Sequence, residues 1–500
     1  MSSKLLLSKF RSRLVLPPDT TRRTFLRKVL QVSANSAGVV GIVSMLTSCS
    51  SSTTTNRSII GNIASNIASN EEAKRIAADA FIWGVPLVIM SRTRLRTMFQ
   101  TVDGRPAVIN TLRHQRRLVD WRRRAVVMPN NDTLYSTAWL DLSAGPLVLS
   151  VPQLMGKTDR YFSFQLIDWY TNTVGYVGTR STGKVASSTL IVGPGWQGVA
   201  PESMRLLRCP TNQAWLLGRV LADDPADFSG VHQLQNGCQL QPLNIASYVA
   251  PLVARPATIL NTQTPADGGL YFFDEVEREL KMNPAPTADA AIVARMKKIG
   301  IGNVSLPSTF LTSHSLDASA IEGLNEANLM LNATAAKNTG KAGWIYEEVG
   351  SYGTNYLLRA QTARSGLGAL TSEEAKYFML FTAPSGEPIT GRAGYQLTID
   401  FKKLPPIDGF WSLAVYSARD FFPVEAAIDR FSISNRTPGI VMDANGAFTI
   451  DIAAEKPPRG IANWLPAPLE ECMLVFRVYV ASASYVTFAR VLPEIQMLTR

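Results

Sequence analysis

The side chains best suited to chemistry are concentrated in Pro129–Leu142, where turn-forming polar residues run straight into an alternating, aromatic-rich segment. Asn131 and Asp132 offer an amide and a carboxylate at the mouth of a predicted strand, with the hydroxyls of Thr133 and Tyr135 beside them. Asp168, Trp169 and Tyr170 end a second predicted strand in the same style, and Arg160 or Arg180 could pair with a carboxylate. Such a group can bind a polar ligand, or a buried acid in it can act as a general base. Asp132, Tyr135 and Asp168 are therefore the catalytic candidates. The same residue types also hold folds: Asn and Asp cap turns through their own side chains, and a Tyr or Trp at a strand start packs the core with its polar tip bonded. Both readings stand at this point. Near the carboxyl end, Asn463-Trp464-Leu465-Pro466-Ala467-Pro468 sets an aromatic among prolines. Asn463 and Trp464 join Asn131, Arg160 and Trp411 as ligand-binding candidates.

Other signatures are missing. The chain has three histidines, His114, His232 and His314, each isolated, and no Cys-x-x-Cys pair, which argues against a zinc or iron–sulfur site. No Gly-x-Ser-x-Gly elbow and no Gly-x-x-x-x-Gly-Lys-Ser/Thr loop occurs, which weakens α/β-hydrolase and nucleotide-binding readings. Gly193-Pro194-Gly195-Trp196-Gln197-Gly198 reads as a rigid turn. No metal and no cofactor is expected.

The elements that must position these residues follow from pattern. Alternation and turn spacing over 129–260 predict short strands, among them Leu147–Val151, Tyr161–Ile167 and Trp215–Val220. Helical spacing predicts helices at Glu71 to about Gln100, Phe272–Met282, Thr287–Lys298, Ala318–Lys337 and Thr371–Phe381, with Pro86 expected to interrupt or kink the first. Strands return after Gly391 at Tyr395–Phe401, Trp411–Val415, Phe448–Ile452 and Leu474–Val480. The fold class is α+β, mainly β: two sandwich-like or jelly-roll-like β domains with a helical region between them. Boundaries fall at 1–48, 49–70, 71–128, 129–270, 271–390 and 391–500.

The first two segments concern destination. Arg22 and Arg23 before Thr24-Phe25-Leu26 resemble the twin-arginine export motif, and Leu46-Thr47-Ser48-Cys49 resembles a lipobox with Cys49 as the lipidated residue. Residues 50–70 then read as a tether. The expectation is a lipoprotein facing the periplasm or cell exterior. Residues 1–48 hold eight basic side chains against Asp19, so of the formal charge of +11 only +4 belongs to the rest. Whole-chain basicity is then no argument for nucleic acid, and none is expected. Arg92 to Arg124 is the one strongly basic stretch after the signal, an expected contact for an anionic surface.

Asn131-Asp132-Thr133-Leu134-Tyr135-Ser136, Trp139-Leu140-Asp141-Leu142, Arg160-Tyr161-Phe162 and Val192-Gly193-Pro194-Gly195-Trp196 resemble the domain of unknown function 1254. Leu404-Pro405-Pro406, Phe410-Trp411-Ser412-Leu413, Asn463-Trp464-Leu465-Pro466 and Arg477-Val478-Tyr479 resemble the domain of unknown function 1214. The resemblance covers about 75 to 500 and implies β-rich, jelly-roll-like domains, with no generally established activity. The expected role is binding or organising a partner in the cell envelope. The alternative is a hydrolase or other enzyme on a small polar or glycan substrate, in a pocket near Asp132 and Tyr135.

Overall fold

The computed structural model describes residues 67–99, 106–262, 264–339, 343–400 and 402–498, with the side chains of 334–339 left aside. Arg22, Arg23 and Cys49 lie outside these residues.

The described chain opens with helix α1 (Asn70–Phe99) and enters the first β domain through β1 (Arg113–His114) and β2 (Thr133–Asp141). It continues through β3 (Leu147–Val151), β4 (Phe162–Asp168), β5 (Thr173–Gly178), β6 (Ser187–Val192), β7 (Arg205–Arg208) and β8 (Gln213–Leu221). Helix α2 (Phe228–Gly237) and β9 (Gln239–Pro242) complete the domain. Two sheets form, in the orders β1-β2-β8-β4-β5 and β7-β6-β3-β9. Alternation decides their faces. Leu134, Ala138 and Leu140 of β2 join Phe162, Phe164 and Leu166 of β4 and Leu216 and Val220 of β8. That face packs on Leu147, Leu149 and Val151 of β3 and Ile191 of β6.

The opposite face of the five-stranded sheet is also covered. Trp139, Ile167, Trp215 and Leu217 pack against a helical layer made by α1, α3 (Tyr271–Met282), α4 (Ala290–Met296), α5 (Pro307–Ser313), α6 (Asp317–Thr339) and α7 (Tyr356–Ser365). Burial on both faces is why every residue of β4 and β8 is buried. Among the described residues α1 is the one helix long and apolar enough to cross a membrane, yet its apolar window is 89% buried inside the protein. It runs on through Pro86, where the sequence predicts an interruption or a kink. Burial of Ile82, Trp83, Val85, Leu87 and Val88 offsets the cost of about 3 kcal/mol that an interior proline carries. Gly84 lets α3 come close, since a Cβ there would meet Val276 Cγ2 at 2.5 Å.

The second β domain holds β10 (Ala375–Leu380), β11 (Tyr395–Asp400), β12 (Trp411–Ser417), β13 (Ser432–Ser434), β14 (Ala447–Ala453), β15 (Trp464–Pro466) and β16 (Cys472–Tyr479). The short helix α8 (Tyr485–Ala489) and β17 (Gln496–Met497) follow. The sheets run β10-β16-β12-β13 and β15-β14-β11-β17, around Leu397, Ile399, Trp411, Leu413, Phe448, Ile450, Phe476 and Val478. The molecule is thus α+β, with β-rich domains.

One predicted helix is a strand. Within Thr371–Phe381, β10 pairs antiparallel with β16 from Ala375↔Tyr479 to Leu380↔Leu474. Pairing with a buried partner outweighs the local helical spacing. Glu374, placed near a helix start by sequence, is buried and accepts from Arg180 (2.6 Å) and Tyr161 (2.8 Å). Helices α5 and α7 were not anticipated. Cys209, Cys238 and Cys472 are buried free thiols, and burial pushes the pKa of each up to about 12.

Candidate functional site

The outer faces of two sheets, one from each β domain, look at each other across a cavity of ≈ 950 Å3. Strand registers place its polar residues. Tyr135 of β2 lies opposite Arg219 of β8, and one step along lie Thr137 and Leu217. On the facing sheet Tyr377 of β10 lies opposite Arg477 of β16, with Ser412 of β12 on the other side of that arginine. Each sheet therefore presents one tyrosine–arginine cross-strand pair to the same space. Tyr479, two residues beyond Arg477 on β16, lines it as well.

The loop joining these walls is the stretch with which the sequence analysis began. Tyr416 Oη donates to the carbonyl of Pro129 (2.6 Å), and Asn130 donates from its amide to Tyr479 Oη (2.5 Å) and from its backbone to Tyr135 Oη (2.8 Å). Arg477 donates to Met128 O (3.2 Å) and Ser432 Oγ donates to Asp132 (2.8 Å). Met128 and Phe421 both carry left-handed backbone, φ 42° and 63°, and Met128 N donates to Phe421 O at 2.8 Å. Conformations of this kind cost roughly 1 kcal/mol or more and persist where neighbours over-determine them. Met128–Asp132 is a joint gripped by both domains.

The electrostatics of the cavity are one-sided. Arg96, Arg122, Arg123, Arg124, Arg219, Arg364, Arg419 and Arg477 line it against two acids, Glu347 and Asp420, and Asp420 is already paired with Arg124. Arg219 and Arg477 are 5% and 3% exposed, so the neutrality of their partners matters. Arg219 donates to Gln165 Oε1 (3.0 Å) and Gly368 O (2.6 Å) and lies over the Tyr135 ring. Arg477 lies over the Tyr416 ring, and its Nη1 is buried with no partner among the described residues. Gln361, Thr264 and Gln115, which also line the cavity, each have one buried side-chain atom in the same condition. Burial holds the Tyr377 and Tyr479 hydroxyls above their ordinary pKa, so both are neutral donors at physiological pH.

The residues singled out from sequence are dispersed. Tyr135 lines the cavity. Asp132 is buried behind it in the joint, its pKa raised by burial against the opposing pull of Ser412, Ser432 and Arg477. Asn131 donates to Val119 O in the same joint. Asp168 is not in the cavity lining: it accepts from Asn172 N (2.8 Å) and Nδ2 (3.2 Å) in the β4–β5 turn, and burial raises it to about 6. Arg160 is paired with Asp227 (2.6 Å), bracing α2. Trp411 is core, stacked on Phe476 with centroids 5.5 Å apart. Asn463 ties Val441 to Thr449, and Trp464 Nε1 donates to Ala453 O (2.9 Å). The basic stretch is split: Arg92 is buried against Glu275, Arg94 lies over Trp169, and Arg122–Arg124 reach the cavity rim. Arg219 and Tyr377 were not foreseen as site residues, and Arg477 and Tyr479 entered only through a motif. A signal existed, because one arginine interrupts each of two otherwise apolar strands, Trp215–Leu221 and Cys472–Tyr479.

Among the described residues no group of three or more His, Cys, Asp or Glu side chains could hold a metal ion. No curated protein matches the chain. The fold resembles the crystal structure of the VPA0106 protein from Vibrio parahaemolyticus, at 20% identity and a TM-score of 0.62, over 85% of this chain and 100% of that one. A putative uncharacterized protein from Burkholderia cenocepacia aligns at 13% identity and a TM-score of 0.41, over 89% of this chain and 97% of that one. Residues 109–242 match the family described as Protein of unknown function (DUF1254), and residues 374–483 match Protein of unknown function (DUF1214). Along the chain a DUF1254 match is thus followed by a DUF1214 match.

Proposed function

We propose that this is a binding protein of the cell envelope, exported by the twin-arginine route and anchored through Cys49, that takes a small organic molecule into the cavity between its β domains. The observation that carries the reading is the cavity's mixed lining: Trp215, Leu217, Met379 and Val475 set beside Tyr135, Tyr377, Arg219 and Arg477, with a buried nitrogen of Arg477 that has no partner among the described residues. Ligand sites are concave and mostly apolar, with a few convergent polar groups, and commonly lie between domains. An unpartnered buried donor is costly until something bonds to it. Neither acid named for an enzymatic alternative, Asp132 or Asp168, lines the cavity, and binding is therefore favoured over catalysis.

The test is a thermal-shift screen of small organic compounds on the chain from residue 50 onward, beside its cavity-filling variant Leu217→Trp. A binder raises the melting temperature of the parent by mass action and leaves the variant unmoved. A screen in which nothing separates the two proteins rejects the cavity as a site. Export is checked separately: Cys49→Ala should move the protein out of the membrane fraction, and unchanged partition overturns the anchor.

A further inference from the structure

The cavity reading leaves open what kind of molecule fits, and the hydrogen-bond accounting around the tyrosines narrows it. Tyr135 Oη accepts from Asn130 N, Tyr479 Oη from Asn130 Nδ2 and Tyr377 Oη from Leu370 N. Each hydroxyl oxygen is thus engaged by an amide, and among the described residues none of the three donates its own proton. Arg477 Nη1 likewise has no acceptor among the described residues. Tyr377 lies within electrostatic reach of both Arg219 and Arg477, which puts the two guanidiniums and the tyrosines in one cluster. Three hydroxyls thus gather around two buried guanidiniums, and among the described residues neither arginine is in an ion pair.

Two cations this deep in the protein favour an anion beside them, since a charge removed from water is strongly penalised unless paired. Asp132 acts on Arg477 from the joint, outside the cavity lining, and the two acids of the lining, Glu347 and Asp420, form no ion pair with Arg219 or Arg477 among the described residues. Beyond the polar cluster the walls are apolar, with Trp215, Leu217, Leu358 and Val475 facing the same space.

Resting on the cavity as a binding site, we infer that its ligand is an amphipathic organic anion. A carboxylate or sulfonate head sits between Arg219 and Arg477, taking hydrogen bonds from the tyrosine hydroxyls, and an apolar body lies along Trp215, Leu217 and Val475. Charge-assisted hydrogen bonds from two arginines supply the preference for the anion. The arginines at the rim raise its local concentration and its rate of entry.

The experiment compares two fluorescent probes of nearly the same shape on the chain from residue 50 onward: 1-anilinonaphthalene-8-sulfonate, an anion, and N-phenyl-1-naphthylamine, its neutral counterpart. The anion should bind at one site per chain and more tightly than the neutral probe. Arg477→Gln should weaken the anion by roughly tenfold or more, the scale of one charged hydrogen bond, and leave the neutral probe within about threefold. Arg477→Lys should recover part of the loss. Tyr377→Phe removes one hydroxyl and keeps the packing, so it stands in if Arg477→Gln does not fold, and it should weaken only the anion. If both probes bind alike and the substitutions move neither, the anion preference is overturned while the cavity remains a binding site. If neither probe distinguishes the parent from Leu217→Trp, the cavity itself is not the site.

Discussion

Asp168 and His114 show how burial sets titration in this fold. Burial lifts Asp168 from its ordinary 3.8 to about 6, against the bonds from Asn172 and the charge of Arg359. The folded state then holds that proton more tightly than the unfolded one. The stability contribution is complete below pH 3.8 and is lost as pH rises through 6. Asp168→Asn keeps one acceptor oxygen for Asn172 N and removes the charge, so it should raise stability at pH 7.5 by up to about 3 kcal/mol and much less at pH 4. Denaturant unfolding at the two pH values checks this, and an equal effect at both would refute it. His114, hydrogen-bonded to Ser136 Oγ at 2.7 Å, goes the other way: burial and Arg116 lower it to about 4, and its contribution is lost as pH falls from 6.5 through 4. It is common to parent and variant, so the comparison isolates Asp168. At this scale the sequence was informative about residue type and poor about company. Asn131, Asp132 and Tyr135 were identifiable because a polar turn precedes an aromatic strand. Nothing local to them records that Tyr377 and Arg477 come to face Tyr135, since that contact depends on registers fixed more than two hundred residues away.

Elements with strong period, such as β11, β12 and α3, are evident from alternation or helical spacing alone. Those governed by a distant partner are not: β10 carries a helix-like spacing and becomes a strand because β16 offers it six register partners, from Ala375 to Leu380. Helix crossings also hide in the sequence until a glycine is seen to serve them. At Gly323 on α6 a Cβ would lie 2.0 Å from the carbonyl oxygen of Lys74 on α1, and backbone cannot yield as a flexible side chain can. Gly323→Ala would gain helix propensity at an exposed site, but here it should lower the unfolding free energy by about 2 kcal/mol through overpacking. Chemical denaturation decides the sign. A stabilised variant would show that α1 and α6 do not cross this closely.

In the whole molecule the two β domains are tied at several places: Pro129, Asn130 and Asp132 are each bonded to the second β domain, Arg436 reaches back to Asp223, and Tyr161 packs on Phe410 and Tyr479. Coupling through buried bonds of this kind predicts that 67–498 unfolds in one calorimetric transition. Tyr416→Phe, which strands the Pro129 carbonyl, should lower that transition by about 1–3 kcal/mol without splitting it. Two resolved transitions in the parent would show that the domains melt independently. The arrangement of the domains was the least accessible part of the fold, because it is set by contacts between residues some three hundred positions apart.

The cavity separates two properties that most sites combine. Its charge is written on strands β8 and β16, whose registers pin Arg219 and Arg477 to their sheets. Its span is set by the contacts between the domains, Met128–Asp132 and the packing of Tyr161 on Phe410 and Tyr479 among them. Under the binding proposal, substitution on β8 or β16 would alter the charge of the molecule taken up and substitution at the contacts between the domains its size, so that the two traits can be engineered one at a time.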